Sequence, residues 1–147
     1  MLIEHILYGK GRDVLTIGPD ASVAEAVALL REHNVGALVV VDDESHIVGI
    51  LSERDVVRAL AEETVGQSIL EREVSDLMTK EVETCGSRSS VNDLMRVMTD
   101  RRIRHVPVVD DGGLKGIVSI GDVVKSRIGE LETEAGTLHD YLSSGRT

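Results

Sequence analysis

The sequence predicts an α/β (α+β) fold built from two β-α-β-β-α units related by a pseudo-two-fold axis. The first observation behind this is an internal duplication. Thr16–Asp43 lies over Thr84–Asp111 without a gap, and after a one-residue deletion Ile47–Arg58 lies over Leu114–Lys125, with fourteen of these 40 aligned positions identical. The identities cluster in Val40-Val41-Asp42-Asp43 against Val108-Val109-Asp110-Asp111. They recur in Gly49-Ile50, Ser52 and Asp55-Val56-Val57 against Gly116-Ile117, Ser119 and Asp122-Val123-Val124. A repeated unit too small to close its own core buries its apolar face on its twin, and the pair then carries two equivalent clefts. The second observation is periodicity: each copy has one helically spaced stretch followed by two apolar runs with turn residues between them.

Each element follows from local chemistry. Val14-Leu15-Thr16 and Val82-Glu83-Thr84 read as lead-in strands. Ser22 with Glu25, and Ser90 with Asp93, form capping boxes in which hydroxyl and carboxylate satisfy free backbone donors. Behind them Val23, Ala26, Val27 and Leu30, and Val91, Leu94, Met95 and Met98, keep helical spacing. The helices end near His33-Asn34 and Arg101-Arg102, where positive charge suits the carbonyl end of the dipole. Ala37–Val41 and Val106–Val109 read as buried strands, and Asp111-Gly112-Gly113 is a good hairpin connection. The second strands, Ile47–Leu51 and Leu114–Val118, lead into short helices beginning near Ser52 and Ser119.

Outside the copies, Ile6-Leu7 faintly echoes Leu77-Met78, each closing a short helical stretch. Ala61–Arg72 joins the halves and reads as helical and solvated. Ser126–Thr147 spaces Ile128, Leu131, Leu138, Tyr141 and Leu142 unevenly around Gly136. It is expected to be a broken amphipathic helix packed on the body or on a second subunit, with a frayed terminus as the alternative.

Composition sets the class. At 147 residues the chain is one compact domain, or two small halves sharing a core, and needs no staples to fold. With no Trp or Phe, aliphatic residues fill the core; the lone Cys85 excludes an intrachain disulfide and suits a reducing cytoplasm. No apolar run approaches a membrane span and the N-terminus lacks a signal-peptide core, so a cytoplasmic protein without membrane association is expected. A formal net charge of −10 argues against broad nucleic-acid binding. Arg101, Arg102 and Arg104 have no interleaved aromatics for base stacking, and the histidines lack metal-ligand spacing. No Gly-x-Gly-x-x-Gly and no P-loop motif is present.

The repeated segment with chemical promise is Gly49–Asp55 and its twin Gly116–Asp122. Ser-x-x-Asp after a strand is first of all a capping box. The same arrangement also builds a nucleotide site. Free amides at a strand-to-helix turn favour a phosphate, a hydroxyl such as Ser52 adds a donor, and a carboxylate such as Asp55 accepts from ribose hydroxyls. The two roles are compatible.

The doubled pattern of apolar strand, Asp-Asp turn, Gly-Ile-x-Ser-x-x-Asp and short helix resembles the cystathionine-β-synthase (CBS) domain pair, or Bateman module. Arg102–Asp110 and Gly49–Asp55 carry the resemblance most clearly, and it covers about Ile3 to Arg127. Within that family the chain is most similar to small stand-alone members that bind adenine nucleotides. The resemblance implies repeats at 1–66 and 67–129 with a helical tail at 130–147, a disk-like homodimer, and two adenosine-ligand clefts.

Carried over residue by residue, it implies one cleft in which Ser119 and Asp122, with Gly121 beside them, hold ribose and phosphate. Arg104 and His105 would face the phosphates, with Val106 and Pro107 adjoining, while Leu15, Thr16, Val35, Gly36 and Ala37 would bound the adenine. In the other cleft Ser52 and Asp55 would take the sugar-phosphate with Arg54 and Arg58 supplying charge, and Glu83, Thr84 and Ile103 would bound the base. Gly36-Ala37 stands where the second copy has Arg104-His105, and Gly121 stands where the first has Arg54, so the Ser119/Asp122 cleft is the better charged.

The expected function is a non-catalytic sensor of energy state or signal that binds AMP, ADP, ATP or NAD(H), uses no catalytic cofactor, and relays its state to a regulated protein. The alternatives are an enzyme acting on the nucleotide, for which no nucleophile–base pair is visible, and a scaffold or RNA-binding dimer with degenerate clefts. The dimer face is expected on the helices after Ser52 and Ser119, where Val56, Val57, Val123 and Val124 exceed one short helix's needs.

Overall fold

The computed structural model describes residues 1–63 and 68–144. The chain divides into two compact units, one spanning Asp13–Thr84 and the other joining Met1–Arg12 to the chain from Cys85 onward. The division expected at 66/67 lies outside the described residues. What the chain does around it is not a simple cut into halves, because the helix that precedes the first repeat packs with the second.

In the Asp13–Thr84 unit, β1 (Thr16–Ile17) pairs parallel with β2 (Ala37–Val41), which pairs antiparallel with β3 (Ile47–Ser52). Helix α2 (Val23–Glu32) starts where the Ser22 hydroxyl accepts from the Glu25 amide at 3.1 Å and ends before Asn34, whose φ of 51° reverses the chain. Its apolar stripe, Ala26 and Leu30, meets Ile17, Leu38, Val40 and Leu51 in a buried cluster. Helix α3 (Glu53–Ala61) follows β3 directly. Of Ala61–Arg72, expected as a solvated helix, residues 64–67 lie outside the described ones; the described part after them holds a 3₁₀ turn, Ile69–Glu71, whose Ile69 is buried. An isoleucine with an apolar site in reach buries rather than decorate an exposed helix. Helix α4 (Val74–Leu77) then seals the sheet: Val74 is fully buried and the strand-like bridge Ile50–Thr79 is closed by two backbone bonds of 3.0 and 2.9 Å.

The other unit repeats this plan. Helix α1 (Ile3–Lys10) is held by bonds from the Ile3 and Glu4 amides to the Ser89 and Ser87 carbonyls. Helix α5 (Val91–Arg101) is capped by Ser90 and ends at Arg102, with φ of 55°, the counterpart of Asn34. β4 (His105–Asp110) and β5 (Gly113–Ser119) form a hairpin whose Asp111-Gly112 turn has both φ positive, at 51° and 75°, as a tight two-residue connection requires. Both hairpins are irregular at the same aligned place, between Val40 and Val41 and between Val108 and Val109. The second lead-in strand does not form: Val82-Glu83-Thr84 is irregular, and a single parallel bridge, Cys85 to Val108, stands in its place.

Glycine fixes how close the lead-in segments come. A Cβ on Gly116 would sit 2.6 Å from Leu7 Cδ2, and one on Gly49 would sit 2.5 Å from Met78 Sδ. The Ile6-Leu7 and Leu77-Met78 echo thus marks two equivalent packing contacts, one per unit.

Helix α6 (Ile120–Ser144) departs from expectation. It is one continuous helix and not a short helix followed by a broken tail, for Gly136 lies within it and a Cβ there would meet nothing. Glycine lowers helix propensity without terminating a helix. Val123 is buried in the unit's core beside Ile3, Leu7 and Val118 and so cannot contribute to an external face, whereas Val57 and Val124 are exposed. From Leu131 to Ser143 every residue of α6 is exposed, so its tail does not pack on the body.

Candidate functional site

Each unit presents the same construction at the end of its hairpin. In the first, Ala37 of β2 is paired with Ser52 of β3, and the Glu53 amide donates to the Gly36 carbonyl at 3.0 Å. This bond anchors the start of α3 to the neck of the hairpin. In the second, His105 of β4 is paired with Ser119 of β5, and the Ile120 amide donates to the Arg104 carbonyl at 2.8 Å. Gly36 and Arg104 are aligned positions, so duplication has kept the backbone contact while changing the side chain.

At the first neck Asp55 Oδ2 accepts from the Ser52 amide at 2.9 Å and the Ser52 hydroxyl at 3.0 Å, while Oδ1 accepts from the Thr79 hydroxyl at 3.1 Å. Asp55 is 8% exposed and is the buried charged residue of the described core. Arg58, one turn on, brings a guanidinium nitrogen within 3.9 Å of Oδ1. Arg54 is exposed on the same first turn. Leu15, Val35 and Ala37 are half-buried or buried in the same unit, Thr16 is exposed on β1, and the Leu15 carbonyl accepts from the Val39 amide. Glu83 and Thr84 close this unit's chain.

At the second neck the Ser119 amide donates to Asp122 Oδ2 at 2.8 Å and the Asp122 amide donates to the Ser119 hydroxyl at 3.1 Å. Lys10 of α1 adds what the sequence did not suggest. Its ammonium donates to Asp122 Oδ2 at 2.5 Å and to the Ile117 carbonyl at 2.9 Å. Partial burial opposes ionisation of Asp122, but the Lys10 bond and the Ser119 amide and hydroxyl outweigh it, holding the carboxyl below its ordinary value. Arg104 and Gly121 are exposed, Ile103 and His105 half-buried, and Val106 and Pro107 buried in β4.

Two residues were therefore missed from sequence, Lys10 and Thr79. Both follow the apolar pair of a lead-in segment, and the echo between Ile6-Leu7 and Leu77-Met78 was the available signal. Among the described residues no group of His, Cys, Asp and Glu is arranged to hold a metal ion, and no helix is long and apolar enough to cross a membrane. An open depression of about 580 Å³ lined by Ser87, Arg88, Ser89, Asp110 and Asp111 includes none of these residues, and Asp110 there is already bonded by the Ser87 amide.

A family model of the CBS domain matches twice, over residues 10–62 and 74–129. The chain belongs to the CBS-domain family. It is 38% identical to the mitochondrial CBS domain-containing protein CBSX3 of Arabidopsis thaliana, over 97% of this chain and 72% of that one. Among solved structures, the CBS-domain protein ATU1752 of Agrobacterium tumefaciens matches with a TM-score of 0.81 and 48% identity, covering 86% of this chain and 92% of that one. The CBS pair of protein MJ0100, solved with 5-methylthioadenosine and S-adenosyl-L-methionine, matches with a TM-score of 0.77 and 29% identity, covering 88% and 98%. CBS pairs are regulatory modules, and the MJ0100 pair shows that some of them take adenosine-bearing ligands.

Proposed function

We propose that this CBS pair is a non-catalytic sensor that binds adenine nucleotides (AMP, ADP, ATP or NAD(H)) and relays the bound state, as a cytoplasmic homodimer, to a regulated protein. The observation that carries the reading is the duplicated Ser-x-x-Asp neck. Each unit aims a carboxylate at the start of a helix, braced by the strand's last amide, and an adenosine-bearing ligand occupies the similar MJ0100 pair. Asp55 and Asp122 would accept from ribose hydroxyls. Ser52 and Ser119, with the helix-start amides, would meet phosphate. Arg54 and Arg58 would supply charge at one site and Arg104, His105 and Lys10 at the other. Leu15, Thr16, Val35, Gly36, Ala37, Glu83, Thr84, Ile103, Val106, Pro107 and Gly121 complete the proposed contacts with base and sugar. A ligand relays a signal only through different affinity for two geometries, so the regulated protein must read a difference that the nucleotide biases.

Binding raises the melting temperature by mass action, which makes the test direct. Thermal shift and calorimetry with AMP, ADP, ATP, NAD and NADH should give saturable stabilisation that GMP does not match, with every nucleotide recovered unchanged. Equal and negligible shifts for all would remove the sensor reading, and conversion of any of them would make the protein an enzyme.

A further inference from the structure

The tail of α6 carries an apolar seam that nothing in the described chain covers. Val124, Ile128, Leu131, Ala135, Leu138 and Leu142 follow one another at alternating steps of four and three residues, the period of a coiled coil rather than of an isolated amphipathic helix. All six are exposed, the five larger ones by about half: Val124 50%, Ile128 51%, Leu131 49%, Leu138 58% and Leu142 54%. In heptad terms Val124, Leu131 and Leu138 take the d position and Ile128, Ala135 and Leu142 the a position. Gly129 and Gly136, whose added Cβ atoms would meet nothing, both fall at b, on the side turned away from the seam.

We propose that this seam zips, parallel and in register, against the same helix of a second copy of the chain. Ile128 at a, with Leu131 and Leu138 at d, suits a two-stranded seam. Flanking charge selects the orientation. In the parallel pair Arg127 at g faces Glu132 of the partner subunit at e, and Glu134 faces His139 of the partner subunit. An antiparallel pair with its apolar layers matched would set Glu132 against Glu132 of the partner subunit and Glu134 against Glu134 of the partner subunit, a like-charge contact on each flank. Arg127 now donates to Glu130 at 2.7 Å within its own helix, a half-buried bond that the interhelical pair with Glu132 of the partner subunit would have to share or replace. The seam spans fewer than three heptads, so it does not stand alone. It grows out of a helix start fixed by buried Val123, and by Asp122 bonded to Ser119 and Lys10.

This deepens the homodimer part of the proposed function and is separable from nucleotide binding. Sedimentation equilibrium on the full chain should show a dimer at micromolar concentration. Leu131→Asp with Leu138→Asp should weaken it at least tenfold while leaving the melting of the body in place, because both residues are exposed. Arg127→Glu should weaken it and Arg127→Glu with Glu132→Arg should restore it. In a Cys85→Ala background, Leu138→Cys should oxidise to a covalent dimer, which only the parallel register allows. A monomeric wild type, a dissociation constant unmoved by the double aspartate variant, absence of the Leu138→Cys cross-link, or a tail engaged by an unlike protein would each overturn the seam. Failure of wild-type dimer to bind any nucleotide would instead overturn the sensor reading and leave the seam standing.

Discussion

Lys10 Nζ lies 2.5 Å from Asp122 Oδ2, joining the helix that precedes the first repeat to the proposed ribose acceptor of the second. Thr79 does the corresponding work for Asp55 in the other unit, through a hydroxyl at 3.1 Å. In both units the acidic residue of the neck is thus tied to a lead-in segment that sequence order places with the opposite repeat. Were the proposed nucleotide to engage either carboxylate, it would act directly on that tie and so reach α1 or the segment after α4.

The Lys10–Asp122 pair makes the first prediction. A carboxyl whose folded-state value is depressed contributes stability above its ordinary value, and that stability is lost as pH falls through the folded value. Lys10→Met removes part of the depression. The variant should be less stable than wild type at neutral pH, and the gap should close as pH drops below about 4. Both side chains are partly exposed, so the gap stays below about 1 kcal/mol, or ~3 °C in melting temperature. Melts from pH 2 to pH 7 check this; a gap that does not narrow at all as pH falls below about 4 would assign the effect to packing of the Lys10 stem.

Close approach at Gly49 and Gly116 makes the second. Adding a Cβ at Gly116 displaces only the end of the Leu7 side chain, whereas at Gly49 the Cβ also meets the Thr79 carbonyl at 3.1 Å. That carbonyl is fixed by the bridge to Ile50. Overpacking costs about 1–3 kcal/mol, so Gly49→Ala should lie at the upper end and Gly116→Ala at the lower. Chemical denaturation of the two variants orders them, and Leu7→Ala should relieve Gly116→Ala more than Met78→Ala relieves Gly49→Ala.

The Ser22 and Ser90 hydroxyl caps, the Ser52–Asp55 and Ser119–Asp122 boxes, the two hairpins and the aligned helix ends at Asn34 and Arg102 were legible because each depends on residues close in sequence. Asp111-Gly112 dictated its hairpin for the same reason. The reciprocal bonds expected from Glu25 and Asp93 and the strand expected at Val82-Glu83-Thr84 do not form. What was not legible depends on distant partners. Nothing local in Ile3–Lys10 says that Leu7 packs on Gly116. Nor does Ser-x-x-Asp reveal that a lysine over a hundred residues away bonds the aspartate. The break expected at Gly136 failed because a solvent-facing glycine weakens a helix without ending it, and Ile69 defied its polar neighbours because burial outweighed them.

Cys85 gives a third prediction. Burial, reinforced by the nearby Asp110 carboxylate, pushes its thiol up to about 11. The thiolate is the reactive form, so alkylation at pH 8 should run roughly a hundredfold slower than for a free thiol. Denaturant should abolish the difference. Fast labelling of the native protein would show Cys85 to be a reactive thiol and contradict the buried, protonated thiol expected here.

The two neck aspartates should separate binding from folding. Asp55 is buried and accepts from the Ser52 amide and hydroxyl and the Thr79 hydroxyl. Asp55→Ala therefore loses three bonds at a half-buried helix start and should cost about 1–3 kcal/mol of stability, although the exposed Thr79 hydroxyl can turn to water. Asp122 is more exposed, and its loss should cost on the order of 1 kcal/mol from the cap. For nucleotide affinity the order should reverse, because Arg104 and His105 stand on the hairpin beside Ser119 and Asp122, while the aligned Gly36 and Ala37 bring no charge. Removing a carboxylate that accepts two ribose hydroxyls loses charge-assisted bonds of about 1.5–3 kcal/mol each at most, so Asp122→Ala should bind roughly tenfold to a few hundredfold more weakly. Calorimetry on both variants, at a temperature where each is fully folded, reads the two effects apart. Should Asp122→Ala lower stability and leave nucleotide affinity intact, Asp122 is a helix cap alone and the proposed ribose acceptor lies elsewhere.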